Sequence, residues 1–192
     1  MYKICKIEES AARQKQLEKG LMKLMQKTRF EDITVSSLCA YVKVPRNSFY
    51  RYFSNKEDVL LALIDHTLME ANDHTLAKWS GCPHLDLAVM ENFFVYWKKN
   101  HHFLEAITKN GRSWLIVERS IHLQEQKQPH PENAPDAQGF AQEQTRYILT
   151  YGMMSILLRW HSCGYPAGPK EMAKVAFNML SSSNIAMKDL LL

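Results

Sequence analysis

Residues 33–53 read ITVSSLCAYVKVPRNSFYRYF and contain two short helical patterns joined by a tight turn. Thr34 belongs to the residue types that cap helix N-termini, and it opens a helix predicted to end at about Val42. Pro45 fits the first position of the next helix, predicted over Pro45–Phe53, because its missing N–H needs no partner there. Two short helices with a tight connection are typical of a helix-turn-helix.

The second of these helices has two different faces. Phe49 and Phe53 lie on one side of a 3.6-residue helix, where we expect them to anchor into the core of a small domain. Arg46, Asn47 and Tyr50 fall on the other side. Arginine pairs with guanine and asparagine with adenine in the major groove, and a hydroxyl can bond base edges or phosphate. This pattern predicts a recognition helix that reads double-stranded DNA.

A longer helix follows directly. The tetrad Ser54-Asn55-Lys56-Glu57 has the form of a capping box, in which Ser54 caps the helix and Glu57 reaches back. Lys56 would then lie at the positive end of that helix, where its charge suits a phosphate contact.

The rest of the chain also has helical periodicity and almost no strand-like alternation. We therefore predict an all-α fold of about nine helices. A three-helix DNA-binding domain would cover residues 1–54, and a helical bundle for effector binding and dimerisation would cover residues 55–192. Residues 126–139 hold three prolines and predict a loop. The other predicted helices span residues 8–27, 54–78, 84–99, 101–109, 112–127, 140–163 and 169–183.

Charge is unevenly distributed along the 192 residues. Residues 1–60 carry twelve lysines and arginines against seven acidic residues, whereas the remainder carries twelve against thirteen. The first third is therefore the part expected to approach phosphate. The four scattered cysteines predict neither disulfides nor a zinc site and favour a reducing cytoplasm, and Cys39 is expected in the core. No stretch predicts a membrane span.

Residues 33–44 and 49–60 resemble the N-terminal domain of the TetR family of bacterial repressors. They share a threonine at the start of the second helix, an aromatic Y-x-[HY]-F run and a following Lys-Glu pair, and the resemblance extends over residues 8–65. Lys43 departs from the pattern because the family usually has glycine at this turn. A positive φ there costs a non-glycine residue about 1 kcal/mol.

The resemblance implies roles for nine residues at a DNA interface. Three at the start of the second helix would face the backbone or groove edge, three would be the main base readers, and three would hold phosphates. In that order they are Thr34, Val35 and Ser36; Arg46, Asn47 and Ser48; and Tyr50, Tyr52 and Lys56.

The resemblance also implies a homodimer formed through the last two helices and a pocket for a small-molecule effector. Residues 140–180 more loosely resemble a subgroup that includes a regulator of dihydroxyacetone kinase genes. The predicted dimer residues are Tyr151, Met154, Leu158, Phe177 and Met179. The predicted pocket residues are Phe94, Trp97, His101, Trp114 and His122, although aromatics of this kind also suit a core, which is their more common role.

These features predict a sequence-specific transcriptional regulator, a repressor released by its effector, that binds a palindromic operator as a homodimer in the cytoplasm. The chain has none of the common catalytic motifs, so we expect no enzyme activity. We expect neither a cofactor nor a metal site, because the adjacent His101 and His102 point about 100° apart on a helix. The alternative is a helical adaptor or co-activator that acts through a protein partner.

Overall fold

The computed structural model describes residues 8–77, 86–127 and 137–181. These ranges are helical and contain no strand, which confirms the predicted all-α fold. Their nine α-helices are α1 (Glu8–Met25), α2 (Val35–Val42), α3 (Arg46–Phe49), α4 (Lys56–Leu76), α5 (Leu87–Lys99), α6 (His101–Lys109), α7 (Ser113–Lys127), α8 (Ala137–Ser162) and α9 (Pro169–Ser181), and a 3₁₀ turn spans Phe30–Asp32.

The chain divides into two compact units. The first combines Met1–Met69 with His102–Lys127, and the second combines Glu70–His101 with Gln128–Leu192. The first unit therefore holds the helix-turn-helix together with most of α6 and all of α7. The division at residues 54 and 55 that the sequence suggested remains a prediction.

Close packing of α1 against α2 builds the core of the first unit. Leu17 and Leu21 of α1 and Leu38 of α2 have no exposed surface. Gly20 lies at the contact itself, where a Cβ atom would clash with the Cγ1 atom of Val42. A small residue is thus needed on α1 for α2 to approach this closely.

The second unit is built around aromatic side chains of α5 and α8. The rings of Phe94 and Trp160 meet edge to face with centroids 5.3 Å apart, a favoured geometry for aromatic pairs. Trp160 also donates a hydrogen bond from Nε1 to the carbonyl of Ala167 at 3.0 Å. Small residues of α9, Ala173 and Ala176, are completely buried, and α9 packs against α5 and α8.

Three local predictions need correction. The helix predicted over Pro45–Phe53 is a single turn, Arg46–Phe49, with Pro45 as its N-cap, although the Phe53 amide still donates to the Phe49 carbonyl at 3.1 Å. The predicted loop at residues 126–139 is helical at both ends, and its middle, residues 128–136, lies outside the described residues. The helix predicted over residues 101–109 has the bounds of α6, and the other predicted helices are found with shifted ends. Residues 78, 84–85 and 182–183 of these predicted helices also lie outside the described residues.

The third correction concerns the start of α4. Asn55, not Ser54, is the cap, since its Oδ1 accepts the Asp58 amide at 2.8 Å. Asp58, not Glu57, reaches back, and its Oδ2 accepts the Ser54 amide at 3.1 Å. Asp58 is buried whereas Glu57 is exposed, so packing selects the register of this cap. In the described part of the chain, no helix is both long and apolar enough to cross a membrane.

Candidate nucleic-acid interface

The first helix of the pair begins at a well-defined cap. Thr34 Oγ1 accepts the Ser37 amide at 3.0 Å, and Ser37 Oγ accepts the Thr34 amide at 3.0 Å. This reciprocal capping box satisfies two of the backbone donors that a helix start leaves open. Ser36 is exposed and Val35 is half-buried, so the start of α2 presents its backbone and short side chains to solvent.

The turn after α2 has the strained geometry that the sequence predicts. Lys43 has φ 56° and ψ 41°, in the left-handed region, and its side chain is exposed. The Val44 amide closes the helix end on the Cys39 carbonyl at 3.0 Å. Gln16 of α1 donates from Nε2 to the Val42 carbonyl at 2.8 Å. Together with the burial of Val44, these bonds hold Lys43 in a conformation that L residues seldom adopt.

Burial divides α3 and its following turn into an anchored side and a presented side. Phe49 is fully buried and Phe53 is 2% exposed, and their ring centroids lie 5.9 Å apart. Arg46, Asn47 and Tyr50 are exposed. This confirms both faces predicted from the helical period. Arg46 Nη2 lies 3.4 Å from the Tyr50 hydroxyl and donates to it, which aligns the arginine along the exposed side.

Ser48 and Tyr52 complete this surface as half-buried residues. Ser48 belongs to α3, and Tyr52 lies in the turn that follows it. The half-burial of Tyr52 leaves part of its surface in solvent. Eight of the nine predicted DNA residues therefore lie in two short segments of the first unit, 34–36 and 46–52.

The ninth residue, Lys56, makes hydrogen bonds to backbone carbonyls within its own unit. Its Nζ donates to the carbonyl oxygens of Phe30, Glu31 and Ile33 at 2.7, 2.9 and 2.7 Å, and it lies 4.7 Å from the centroid of the Phe30 ring. An ammonium group has three donors, so these carbonyls account for all of them. A phosphate contact by this group would compete with those bonds.

The predicted dimer residues differ in exposure. Tyr151 and Met179 are more than half exposed, and Leu158 and Phe177 are half-buried. Met154 is buried and offers little surface to a partner. Two apolar residues that the sequence did not single out, Ile148 and Val175, are also exposed on α8 and α9. Their spacing of three and four residues from Tyr151 and Met179 places them on the same helix faces.

The predicted pocket residues belong to different units. Phe94, Trp97 and His101 belong to the second unit and Trp114 and His122 to the first. Phe94 and Trp97 are completely buried, as the alternative core role predicts, whereas Trp114 is 59% exposed. The effector pocket stays a prediction. Among the described residues, no group of three or more His, Cys, Asp and Glu side chains is placed to hold a metal ion.

Sequence reasoning missed the polar residues that tie the helix-turn-helix to the rest of its unit. Asn110, in the turn between α6 and α7, bonds with Phe30 and Met25, which are 80 and 85 positions away along the chain. Glu18 of α1 lies within 3.0 Å of His66 of α4. A single sequence carries no signal for such pairs, because neither periodicity nor a local motif connects them.

Comparison with known proteins gives three kinds of match. The family model described as bacterial regulatory proteins, tetR family, matches residues 19–63. The HTH-type dhaKLM operon transcriptional activator DhaS of Lactococcus lactis subsp. lactis (strain IL1403) is 31% identical over 114 residues, which cover 58% of this chain. The chain spans 59% of the length of this curated relative.

Solved structures resemble the chain over most of its length. The dihydroxyacetone kinase operon activator DhaS matches with a TM-score of 0.53 and 20% identity, over 87% of this chain and 93% of its own. The fatty acid degradation regulator FadR from Bacillus halodurans matches with a TM-score of 0.60 and 14% identity, over 90% of this chain and 96% of its own. Identities this low concern the fold alone.

Proposed function

Because the chain belongs to the TetR family of bacterial regulatory proteins, we propose that it is a sequence-specific DNA-binding transcriptional regulator. One observation carries this proposal. The segment from α3 to Phe53 is anchored by buried phenylalanines while its arginine, asparagine and tyrosine remain exposed. A helix held in this way can present its polar face to the major groove without losing its own packing.

The exposed residue types suit particular DNA groups. Arg46 is assigned to guanine and Asn47 to adenine, with Ser48 beside them. Tyr50 and Tyr52 are assigned to phosphates, as are the backbone and side chains of residues 34–36 at the start of α2, where amide groups and the helix dipole favour anions. Lys56 lies at the start of α4 and adds positive charge there, but its donors point toward carbonyl oxygens.

A homodimer is part of the proposal, because two recognition helices are needed to read a palindromic operator. The exposed apolar residues of α8 and α9, led by Tyr151 and Met179, support an interface that would bury them. Met179→Glu should then yield a monomer in sedimentation at micromolar protein. Val95→Glu, on an exposed apolar position of α5, serves as the control and should stay dimeric. A wild-type monomer would contradict this part of the proposal.

Two directions of regulation are proposed. Repression that a small-molecule effector releases follows from the sequence resemblance to the family. Activation is the second candidate, because the curated relative DhaS is named a transcriptional activator. A reporter gene placed behind the selected operator distinguishes them: deletion of the regulator raises expression under repression and lowers it under activation. Either role would place the protein in the cytoplasm with the DNA.

The main test is the selection of bound sequences from a random DNA pool. We expect a palindrome whose half-sites lie about one helical turn apart or a multiple of it, and a binding constant that falls steeply with salt. Equal affinity for all DNA would refute operator reading. No affinity for DNA together with a captured protein partner would favour the adaptor alternative.

Single substitutions in α3 test the assignment of the base readers. Arg46→Ala and Asn47→Ala should each lower the discrimination between operator and random DNA by about 1–3 kcal/mol, the value of a bidentate contact. Arg51→Ala removes an exposed arginine of the following turn and should leave that discrimination unchanged. Equal losses on both DNAs for Arg46→Ala would show that Arg46 does not read bases.

A further inference from the structure

The connection between α1 and α2 is held by a turn that lies far from it in the sequence. Asn110, between α6 and α7, accepts the Phe30 amide on Oδ1 at 2.6 Å. Its Nδ2 donates to the carbonyls of Met25 at 3.1 Å and Ala106 at 2.7 Å. One side-chain amide therefore joins the end of α1, the start of the 3₁₀ turn and the last part of α6.

Charged groups of the same region reinforce this attachment. The Arg112 guanidinium lies 4.2 Å from the centroid of the buried Phe30 ring, and its Nη2 is 3.2 Å from Glu31 Oε1. The pKa of the Glu31 carboxyl lies below its ordinary value, mainly because the carboxylate accepts a bond from a backbone amide and also because Arg112 lies beside it. Lys109 Nζ donates to the Gln26 carbonyl at 3.2 Å.

The attached segment leads directly into the proposed DNA surface. The 3₁₀ turn ends at Asp32, and the Thr34 cap of α2 follows after one residue. The position of the Phe30–Asp32 turn therefore sets where the start of α2, with Thr34 and Ser36, lies in the unit. Because only Ile33 separates the turn from the cap, the cap cannot move independently of the turn.

We propose that Asn110 is a positioning residue for DNA binding, acting through the 3₁₀ turn on the contacts made at the start of α2. This inference rests on the proposed function. Without Asn110 the buried Phe30 amide loses its acceptor, and a buried amide without a partner favours any rearrangement that hydrates it. The rearrangement available is a shift of the turn, and the turn carries α2 with it.

Asn110→Leu tests the proposal in the full-length protein. A matched control exists in Asn100→Leu, because Asn100 also donates from Nδ2 to the carbonyl four residues before it, Tyr96, at 2.9 Å. We expect Asn110→Leu to weaken binding of the selected operator by about tenfold, equivalent to 1.4 kcal/mol, and Asn100→Leu to leave it unchanged. Circular dichroism melting fixes a temperature at which each variant is folded, and affinities are compared there.

A double-mutant cycle separates positioning from a general loss of stability. If Asn110 acts through the contacts of α2, Asn110→Leu should cost much less affinity, about threefold, when Ser36→Ala has already removed one of them. Arg112→Met provides a milder second variant at the same turn and should show the same coupling. Equal losses in both backgrounds, or an unchanged affinity for Asn110→Leu, would overturn the inference.

The failure of this inference is distinguishable from the failure of the proposed function. If the wild-type protein binds no DNA sequence selectively, the proposed function fails and no variant needs to be measured. If the wild type binds its operator and Asn110→Leu behaves like Asn100→Leu, the function stands and the positioning role is refuted.

Discussion

Replacement of Lys56 by methionine distinguishes two roles for a lysine at the edge of a DNA-binding surface. Its ammonium donates to three backbone carbonyls within 2.9 Å, those of Phe30, Glu31 and Ile33. Methionine keeps a flexible apolar side chain of comparable length and removes the charge and all three donors. If the ammonium mainly bonds these carbonyls, the variant loses stability. If it mainly contacts a phosphate, the variant loses part of the salt dependence of DNA binding.

The structure sets the size of the first effect. A hydrogen bond that involves a charged group contributes about 1.5–3 kcal/mol, but the three bonds share one half-buried donor and water can replace part of them. We therefore expect Lys56→Met to lower the free energy of unfolding by about 2 kcal/mol, well below the sum of three separate bonds. Urea denaturation followed by circular dichroism measures this loss.

The second effect is measured by titrating operator DNA at several salt concentrations. Loss of one direct phosphate contact flattens the plot of log K against log salt by about 0.9. We expect an unchanged slope for Lys56→Met, with a uniform reduction in affinity. Lys19→Met removes an exposed lysine from α1 and corrects for the loss of one positive charge alone. A slope flattened by about one, with stability unchanged, would refute the structural role and restore Lys56 as a phosphate contact.

Two further predictions concern the support of the helix-turn-helix. Gly20→Ala should destabilise the protein by about 1–3 kcal/mol in urea denaturation, because the added methyl would overlap Val42; unchanged stability would show that α1 and α2 separate without cost. The bond to Glu18 raises the pKa of His66 above its ordinary value of 6.5, so this pair stabilises fully at lower pH and the benefit disappears as pH rises through the raised pKa. The stability difference between wild type and His66→Gln should therefore shrink from pH 6 to pH 9, and a difference that grows would contradict the assigned partner.

Local chemistry explains which parts of the helix-turn-helix the sequence predicts correctly. Thr34 is the right residue type at the right distance from an apolar run, and it caps α2 as expected. The left-handed conformation of Lys43 follows from the short distance between two helices, which holds whichever residue occupies the turn. Phe49 and Phe53 are buried because four residues complete about one helical turn.

Predictions fail where two local patterns overlap. The start of α4 contains both Ser54 with Glu57 and Asn55 with Asp58, and each pair has the spacing of a capping box. Asn55 accepts the Asp58 amide, and Asp58 reaches back to the amide of Ser54. The choice depends on which carboxylate packs inward, and a local pattern does not contain that information. For Lys56 the phosphate contact stays a prediction, and the local pattern contains no sign of the carbonyls, more than 20 positions earlier, to which its Nζ donates.

Three polar side chains of the first unit share one physical property: each is bound to backbone atoms of a connecting segment. Gln16 bonds the carbonyl that ends α2, Lys56 bonds the carbonyls before α2, and Asn110 bonds the amide of Phe30. Backbone groups are present at every position, so such bonds impose no residue type on the partner segment and leave no paired pattern in the sequence. They nevertheless determine where the segment lies, since a buried backbone group must be satisfied. The residue types of a recognition helix thus predict which face can meet DNA, whereas the orientation of that face depends on side chains outside that helix.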